Sequence, residues 1–415
     1  MRIIRKECIK ILVSKRLPAI ILFTVLYYIL FMQIQKYPYI FSWGIVSQQR
    51  YVSELVEDVG PSLSGEEWHR MEAKRQELLA KVREICSANA VLADAGIYDY
   101  ETWLEAYQEL FFIPDENKLS DENKLSDENS ILDNKQKLRR EVMALYQQEG
   151  ASQKCLTLLQ YIDNLEYIHE LGCLFSVPAS EAETVAREYW GHATPLFQKA
   201  IAVFCQRDLS MLPHMMFMLL WEDMHAMTIL LVICSLILLI PCQIHEKLCE
   251  VTALYATTRT GRRIFGKQFA AHLIACGFVS ALQLLVYVGI FISKGLTVYW
   301  KCPAWPDGTT TFWLDISYGT YMAVYLLMIW LFVMGNVVMA YCIGRFSANY
   351  ITGIAASIPV GGIVCFLGRR LFNSPFGFTE AVRVPLWEPM VLFLWLAITG
   401  ILITFLLKRD QKRNL

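Results

Sequence analysis

The sequence predicts an all-α membrane protein with six transmembrane helices, an N-terminal amphipathic elbow helix and a large helical extracellular domain between spans 1 and 2. The chain of 415 residues is 55% hydrophobic, which is more than an ordinary soluble domain contains. Its charge is strongly segregated. Residues 37–223 hold 31 Asp and Glu against 16 Lys and Arg, a net charge of −15, whereas the other residues hold 8 against 22, a net charge of +14. The overall charge of −1 therefore hides two compartments of opposite sign.

The N-terminal residues 1–16 have the pattern of an interfacial helix. Ile4, Cys8, Ile11 and Leu12 recur at helical spacing on one face. The rest of the surface is basic, with Arg2, Arg5, Lys6, Lys10 and Arg16. We predict that this elbow helix lies in the membrane plane with its cations toward anionic headgroups. The alternative is a basic flank that only sets the topology.

Six apolar segments have about the 20 residues that a helix needs to cross a bilayer, and backbone groups in lipid must be satisfied within the helix. The predicted spans are residues 17–36, 224–244, 269–293, 319–344, 350–368 and 389–407. The first is interpreted as a retained anchor rather than a signal peptide, because it lacks a small-x-small cleavage site and five further spans follow.

Lys and Arg near the span ends predict the orientation. Residues 1–16, the loop 245–268, the link 345–349 and the tail 408–415 are basic and fall on one side, which we assign to the cytoplasm. Both termini are then cytoplasmic in a plasma-membrane protein. The domain 37–223, the loop 294–318 and the segment 369–388 lie outside. Arg369 and Arg370 fit less well, and imply an irregular fifth span or snorkelling side chains.

The outer domain is predicted to be helical, without a sheet. Periodic apolar residues indicate helices over Gly65–Ala95, Leu138–Gln148, Cys155–Leu171 and Ser180–Cys205. The tandem repeat DENKLS within Asp115–Ser130 predicts a solvated loop tip. Five outer cysteines leave disulfides and free thiols equally open. They are Cys86, Cys155, Cys173, Cys205 and Cys302.

Residues 261–268, GRRIFGKQ, have the glycine and lysine spacing of a phosphate-binding P-loop. A P-loop also needs a hydroxyl after the lysine to hold Mg²⁺, and it connects a buried strand to a helix. Here Gln268 follows Lys267, and a long apolar run comes next. We therefore predict no ATP site in this chain, and interpret the stretch as the start of span three.

Other chemistry is missing from the sequence pattern. The histidines lack metal-ligand spacing and no GxSxG motif occurs, so we predict no catalytic residue, metal or cofactor in this chain. The predicted spans contain almost no acidic residue, which argues against an ion-coupled carrier. His272 in span three is either a functional group or a hydrogen-bonded structural one. Small residues at Gly335, Asn336, Gly353, Gly361 and Gly362 favour close helix packing.

The loop after span two resembles a known family. Its residues Glu246, Leu254, Thr257, Thr258, Gly261, Arg262 and Lys267 match a pattern found in permease subunits of ATP-binding-cassette transporters of the ABC-2 type. The order of elbow helix, six spans and outer domain is similar to that family along the whole chain. One position departs from the pattern, because Glu250 stands where a glycine is usual.

The resemblance implies a cytoplasmic coupling helix that docks on a separate ATPase subunit, which would hold the ATP and Mg²⁺. The implied docking residues are Glu246, Leu248, Val251, Leu254, Tyr255, Gly261 and Arg262. Leu248, Val251 and Tyr255 share one helical face, which suits insertion into a groove on the partner. The surrounding cations would anchor the loop and elbow helix at the membrane surface. They are Arg263, Lys267, Arg2, Arg5, Lys6 and Lys10.

Two functions follow as hypotheses. The first is the permease half of an exporter or extractor, acting with an ATPase and a second permease, which is either another copy or a related permease. The second is a non-transporting membrane sensor or envelope-acting protein that signals through its outer domain. The acidic outer domain suits a cationic ligand such as a cationic peptide, by charge alone. We predict the lipid bilayer as a partner and no nucleic acid.

Overall fold

The computed structural model describes residues 2–13, 16–36, 45–111, 126–147, 150–175, 208–249, 264–304, 315–372 and 387–412. The elements, in chain order, are α1 (Arg2–Leu12), α2 (Arg16–Phe31), α3 (Gln33–Lys36), α4 (Ile45–Val59), β1 (Ser62–Leu63), α5 (Gly65–Ala88), α6 (Ala90–Asp94), α7 (Tyr100–Phe111), α8 (Ser126–Gln147), α9 (Ala151–Phe175), β2 (Leu209–Ser210), α10 (His214–Leu248), α11 (Ile264–Ser293), a 3₁₀ helix (Leu296–Lys301), α12 (Tyr318–Phe346), α13 (Tyr350–Leu371) and α14 (Trp387–Lys412).

The chain forms two compact units. Unit 1 comprises Met1–Tyr37, His214–Ala304 and Thr310–Leu415, and unit 2 comprises Pro38–Pro213 with Trp305–Thr309. In unit 1, the five helices α10 to α14 are long and apolar enough to cross a membrane. The chain is thus an all-α, multi-pass membrane protein. The remaining apolar helix, α2, has 16 residues and is shorter than the other five.

Helix α10 is the centre of unit 1, where it packs against α2, α11, α12 and α13. In an apolar stretch of 18 residues within α10, 72% of the residues are buried, compared with 22% in the corresponding stretches of α13 and of α14. α10 also begins at His214, ten residues before the predicted start of span two. Glu222 and Asp223 lower the hydropathy there, so the sequence pattern assigned this first part of the helix to the outer domain.

Helix α2 runs antiparallel to α10 along a polar contact line. The Thr24 hydroxyl lies 4.0 Å from Cys234 Sγ, and the Tyr28 hydroxyl lies 3.8 Å from Met227 Sδ. Tyr28 also donates a 2.6 Å hydrogen bond to the main-chain oxygen of Gln283 on α11. Polar contacts of this kind hold helices together in lipid, where apolar faces alone gain little from association.

Glycines set the closest helix contacts of unit 1, as the sequence predicted for Gly335, Gly353 and Gly361. A methyl group on Gly353 would lie 2.5 Å from Ile244, and one on Gly361 would lie 3.0 Å from Leu236. A methyl group on Gly335 would collide with the indole of Trp395. Gly362 has open space around it, so it does not contribute to this packing.

Unit 2 is built from α4 to α9, with α9 packing against α4, α5 and α8. Trp103 on α7 is fully buried, and its indole N–H donates to the Val142 carbonyl at 3.3 Å. The expectation of no sheet was wrong in one detail. β1 and β2 form a two-residue antiparallel ladder, with Ser62 opposite Ser210.

The single helix predicted over Gly65–Ala95 was also wrong, because it breaks at Asn89. The Asn89 backbone is extended and its side-chain oxygen accepts from the N–H groups of Val91 and Leu92, which caps α6. Of the DENKLS repeat, Ser126–Ser130 form the start of α8, and the part before Ser126 lies outside the described residues. Cys86, Cys155 and Cys302 are free thiols. The side chains of Cys173 and Cys205 lie outside the described part.

Candidate functional site

The candidate site is the end of unit 1 where α1, the last turn of α10 and the first turns of α11 meet. We call it the Glu246 end. Glu246 is only 4% exposed, although it lies two residues before the end of α10. Its Oε1 accepts from Lys10 Nζ at 2.5 Å, and its Oε2 accepts from Gln268 Nε2 at 2.6 Å. One carboxylate thus connects α1, α10 and α11.

A buried carboxylate in the last turn of a helix is unfavourable unless neighbouring groups compensate for its charge. The last turn of a helix carries partial negative charge, which disfavours an acidic side chain. Burial of an ionised group is also costly unless it is paired and hydrogen-bonded. Lys10 supplies the opposite charge, and Gln268 supplies the second donor. The two partners therefore explain how Glu246 is accommodated at the end of α10.

The network continues into α11 through His272, which is fully buried. Its Nδ1 lies 2.7 Å from the Gln268 carbonyl oxygen, and its Nε2 lies 3.5 Å from Gln243 Nε2. A carbonyl oxygen only accepts, so Nδ1 carries the proton and Nε2 faces the Gln243 amide as acceptor. Both ring nitrogens have partners, which supports the structural interpretation of His272.

Helix α1 packs its apolar face on the protein. Ile11 is 1% exposed, and the Cys8 thiol lies 3.4 Å from the Ala271 carbonyl oxygen on α11. The face expected to enter lipid is therefore turned toward α11. Periodicity identifies such a face but not what covers it. The opposite face combines exposed Val13 with the exposed cations Arg5 and Lys6.

Glu7 adds a second carboxylate to this contact, with its Oε2 3.7 Å from Lys10 Nζ. Burial raises the pKa of Glu7 above its ordinary value; Lys10 opposes this rise and the Glu246 charge adds to it. Burial alone would lower the pKa of Lys10, but its hydrogen bond and attraction to Glu246 leave that pKa raised. One lysine is therefore shared by two carboxylates.

Lys247, the next residue of α10, connects α10 to a further span, α12. Its ammonium group donates to the main-chain oxygens of Arg345 and Ser347, at the end of α12. The Arg345 guanidinium lies 4.2 Å from the centre of the Phe265 ring on α11. The ends of α10, α11 and α12 are thus joined by direct contacts of charged side chains.

Helix α14 joins the same end, because the Arg409 guanidinium lies 4.4 Å from the centre of the Phe346 ring at the end of α12. Cation–π contacts at such sites contribute about 0.5–1 kcal/mol or more. The Glu246 end therefore joins α1 and four of the long helices.

Some of the predicted site residues lie within the described part. Glu246 is in the network, Leu248 is 55% exposed, and Lys267, Arg5 and Lys6 are exposed. Lys10, predicted at the headgroups, has a side chain that is 44% exposed and paired with Glu246. For Arg2 the structure describes the backbone but not the side chain. The other predicted residues lie outside the described part, namely Val251, Leu254, Tyr255, Gly261, Arg262 and Arg263.

The sequence pattern did not identify two of the connecting residues, Gln268 and Lys247, and it also missed a buried residue in the first part of α10, Asp223. Gln268 is 2% exposed and binds Glu246, but in the sequence it is only a polar residue at the start of an apolar run. Lys247 was counted as one basic residue of the loop. Asp223 was placed in the outer domain, whereas it is fully buried in α10. An acidic residue within or next to a long apolar run is the sequence signal that could have found it.

Comparison with known proteins does not identify a family for this chain. The family models, the curated proteins and the solved structures gave no match to this chain.

Proposed function

We propose that this chain is the membrane-spanning permease subunit of an ATP-binding-cassette transporter, driven by a separate ATPase that docks on residues 245–268. The observation that supports it best is the Glu246 carboxylate. It joins the two helices that flank residues 249–263 and also holds α1. A partner that moved this loop would act on α10, α11 and α1 together.

The contacts of α2 support a sixth crossing, made by α2 and α3 together. Arg16 lies beside Cys242 at one end of α10, and Ile34 contacts Asp223 near the other. α2 and α3 thus accompany α10 over about 20 residues, which at 1.5 Å per residue is about 30 Å. The proposed plan has six crossings, and α1 is the elbow helix.

The distribution of cations supports a cytoplasmic location for the Glu246 end. Lys and Arg cluster at cytoplasmic helix ends in membrane proteins. Among the described residues, this end holds Lys10, Lys247, Lys267, Arg345 and Arg409. Both termini are then cytoplasmic, unit 2 lies outside, and the exposed Arg5 and Lys6 face anionic headgroups.

The docking assignment is tested by purifying the full chain from its native membrane in mild detergent and measuring ATP hydrolysis. We expect a nucleotide-binding subunit to co-purify, and the double substitution Leu254→Asp, Tyr255→Asp to remove it. Glu222→Gln is the control, because Glu222 is an exposed residue of α10 outside the proposed docking loop. Retention of the subunit by the double variant contradicts the docking surface. Its absence from the wild-type preparation contradicts the proposal.

The same complex also separates transport from signalling. Reconstituted into vesicles, a transporter moves a solute when ATP is added. A sensor changes conformation in response to an outer ligand without net flux. ATP-dependent conformational change with no solute movement, across cationic peptides and lipids as test substrates, would favour the sensor.

A further inference from the structure

Asp223 lies where the chain leaves unit 1 for unit 2 and returns. The chain leaves unit 1 after α3, at Tyr37, and returns to unit 1 at His214, the first residue of α10. The Asp223 Oδ1 accepts from the backbone N–H of Gln33 at 2.5 Å, and its Oδ2 accepts from that of Ile34 at 3.0 Å. We call this arrangement the Asp223 clamp. One carboxylate joins the outgoing segment to the returning one.

Among the described side chains, no cation pairs with the Asp223 carboxylate. None of the described ion pairs includes Asp223, which is fully buried. The titratable groups that face it are Glu222 on its own helix, Tyr28 on α2, Tyr287 on α11 and Tyr318 on α12. The two N–H donors of α3 are therefore its main compensation.

The neighbouring phenols are largely committed elsewhere. Tyr28 donates to the Gln283 carbonyl at 2.6 Å, and Tyr318 donates to the Met216 carbonyl at 3.0 Å. The buried Tyr287 hydroxyl lies beside Asp223 but outside good hydrogen-bond geometry. If α3 moves away, the Tyr287 hydroxyl remains beside Asp223, but one neutral phenol replaces at most one of the two N–H donors. A carboxylate left in such an apolar site takes up a proton rather than remain charged.

We propose that Asp223 is a proton-controlled clamp. In the ionised form it holds the segment that leads into unit 2 against the segment that returns from it, and on taking up a proton from solvent it releases α3. Protonation and release are linked, so each favours the other. A change of state in unit 2 that pulls on α3 would then reach α10 through a single carboxyl group.

Amide hydrogen exchange of the full chain in lipid nanodiscs tests the clamp directly, because Gln33 and Ile34 supply the two N–H donors. After correction for the intrinsic rate, we expect protection of these amides to fall about tenfold or more between pH 8 and pH 5. Hydrogen bonds to a charged group are stronger than neutral ones, so their loss is measurable. Asp223→Asn should show the low protection at both pH values, and Lys267→Gln, at an exposed position of the Glu246 end, should behave as wild type.

Three results would overturn the proposal. If the protection of Gln33 and Ile34 in the wild type does not change with pH, Asp223 is not a proton-controlled switch. If Asp223→Asn protects these amides as well as the wild type does, the Asp223 carboxylate does not hold α3. A parallel loss of protection throughout α11 shows that acid unfolds unit 1 as a whole. The test needs no ATPase, so its failure is distinct from failure of the proposed function.

Discussion

Gln268 donates a 2.6 Å hydrogen bond to Glu246, a residue 22 positions earlier in the chain and on the preceding long helix. Gln268 occupies the position at which a P-loop requires a hydroxyl. Its amide binds a buried carboxylate of the same chain instead. The residue that argues against nucleotide binding in this chain is thus part of the contact proposed to receive the movement of a partner ATPase.

The first prediction concerns this pair. Gln268→Leu leaves one oxygen of a buried carboxylate without its donor, and we expect a cost of about 1–3 kcal/mol in the free energy of unfolding. Glu246→Leu should cost a similar amount, since the Lys10 contribution is reduced by solvent at its 44% exposed side chain. Thermal unfolding of the purified chain in detergent measures both.

A double-mutant cycle makes the prediction specific. The combined variant should cost at least about 0.5 kcal/mol less than the sum of the two single variants, because neither residue then leaves the other unpaired. Lys267→Gln, at the exposed neighbouring position, should change stability by less than about 0.5 kcal/mol. Additive effects would show that the two side chains do not interact.

The second prediction concerns helix packing at Gly335. Gly335→Ala places a methyl group against the indole of Trp395, whose N–H donates to the Phe332 carbonyl at 3.0 Å. We expect a loss of about 1–3 kcal/mol, typical of overpacking. Gly362→Ala is the matched control, since its methyl group has open space and alanine favours a helix. A stable Gly335→Ala variant would contradict the packing of α12 on α14.

The third prediction concerns pH at α1. The pKa of Glu7 is raised, mainly by burial, so its contribution to the folded state is present at low pH and is lost as pH rises through the raised value. Glu7→Gln mimics the protonated acid. We expect it to stabilise the chain at pH 8 and to have little effect at pH 4.

Unfolding midpoints across this pH range test the sign. The difference between Glu7→Gln and wild type should shrink as the pH falls. A variant that is less stable than wild type at pH 8 would show that ionised Glu7 helps to hold α1, through its 3.7 Å contact with Lys10.

The fourth prediction concerns unit 2. Asn89→Ala removes the cap of α6 and the 3.0 Å hydrogen bond from Asn89 Nδ2 to Glu141. We expect a cost of about 0.5–2 kcal/mol in the unfolding of the full chain. Asn89→Ser keeps a capping oxygen but loses the Glu141 contact, so it should recover most of the stability. Equal costs for both variants would assign the effect to Glu141 rather than to the cap.

The sequence predicted the long helices well, because about 20 consecutive apolar residues leave few alternatives. It also predicted the contacts of Gly353 and Gly361, since small residues mark close approach in membrane helices. It did not predict the break at Asn89, although an asparagine within an otherwise periodic run is a recognised cap signal. The apolar periodicity continues on both sides of Asn89, and this favoured one continuous helix over a break at a single residue.

The contacts between residues far apart in the chain were harder to predict than the helices themselves. Periodicity gave the apolar face of α1, but whether lipid or α11 covers it depends on tertiary packing. The pairing of Lys10 with Glu246 joins residues 236 positions apart, and no local pattern specifies it. Asp223 was misplaced because hydropathy averaged over a window treats a buried acidic residue as a sign of exposure.

The antiparallel contact of α2 with α10 has a consequence for biosynthesis. The backbone of Gln33 reaches its partner Asp223 only after 190 further residues have been made, and unit 2 is translated in between. At about 5–20 residues per second, α2 waits on the order of 10–40 s before α10 leaves the ribosome. During that interval its Thr24 and Tyr28 hydroxyls have no α10 or α11 beside them. We therefore expect α2 to be retained by the insertion machinery until α10 and α11 arrive, which cross-linking of stalled nascent chains of increasing length would show.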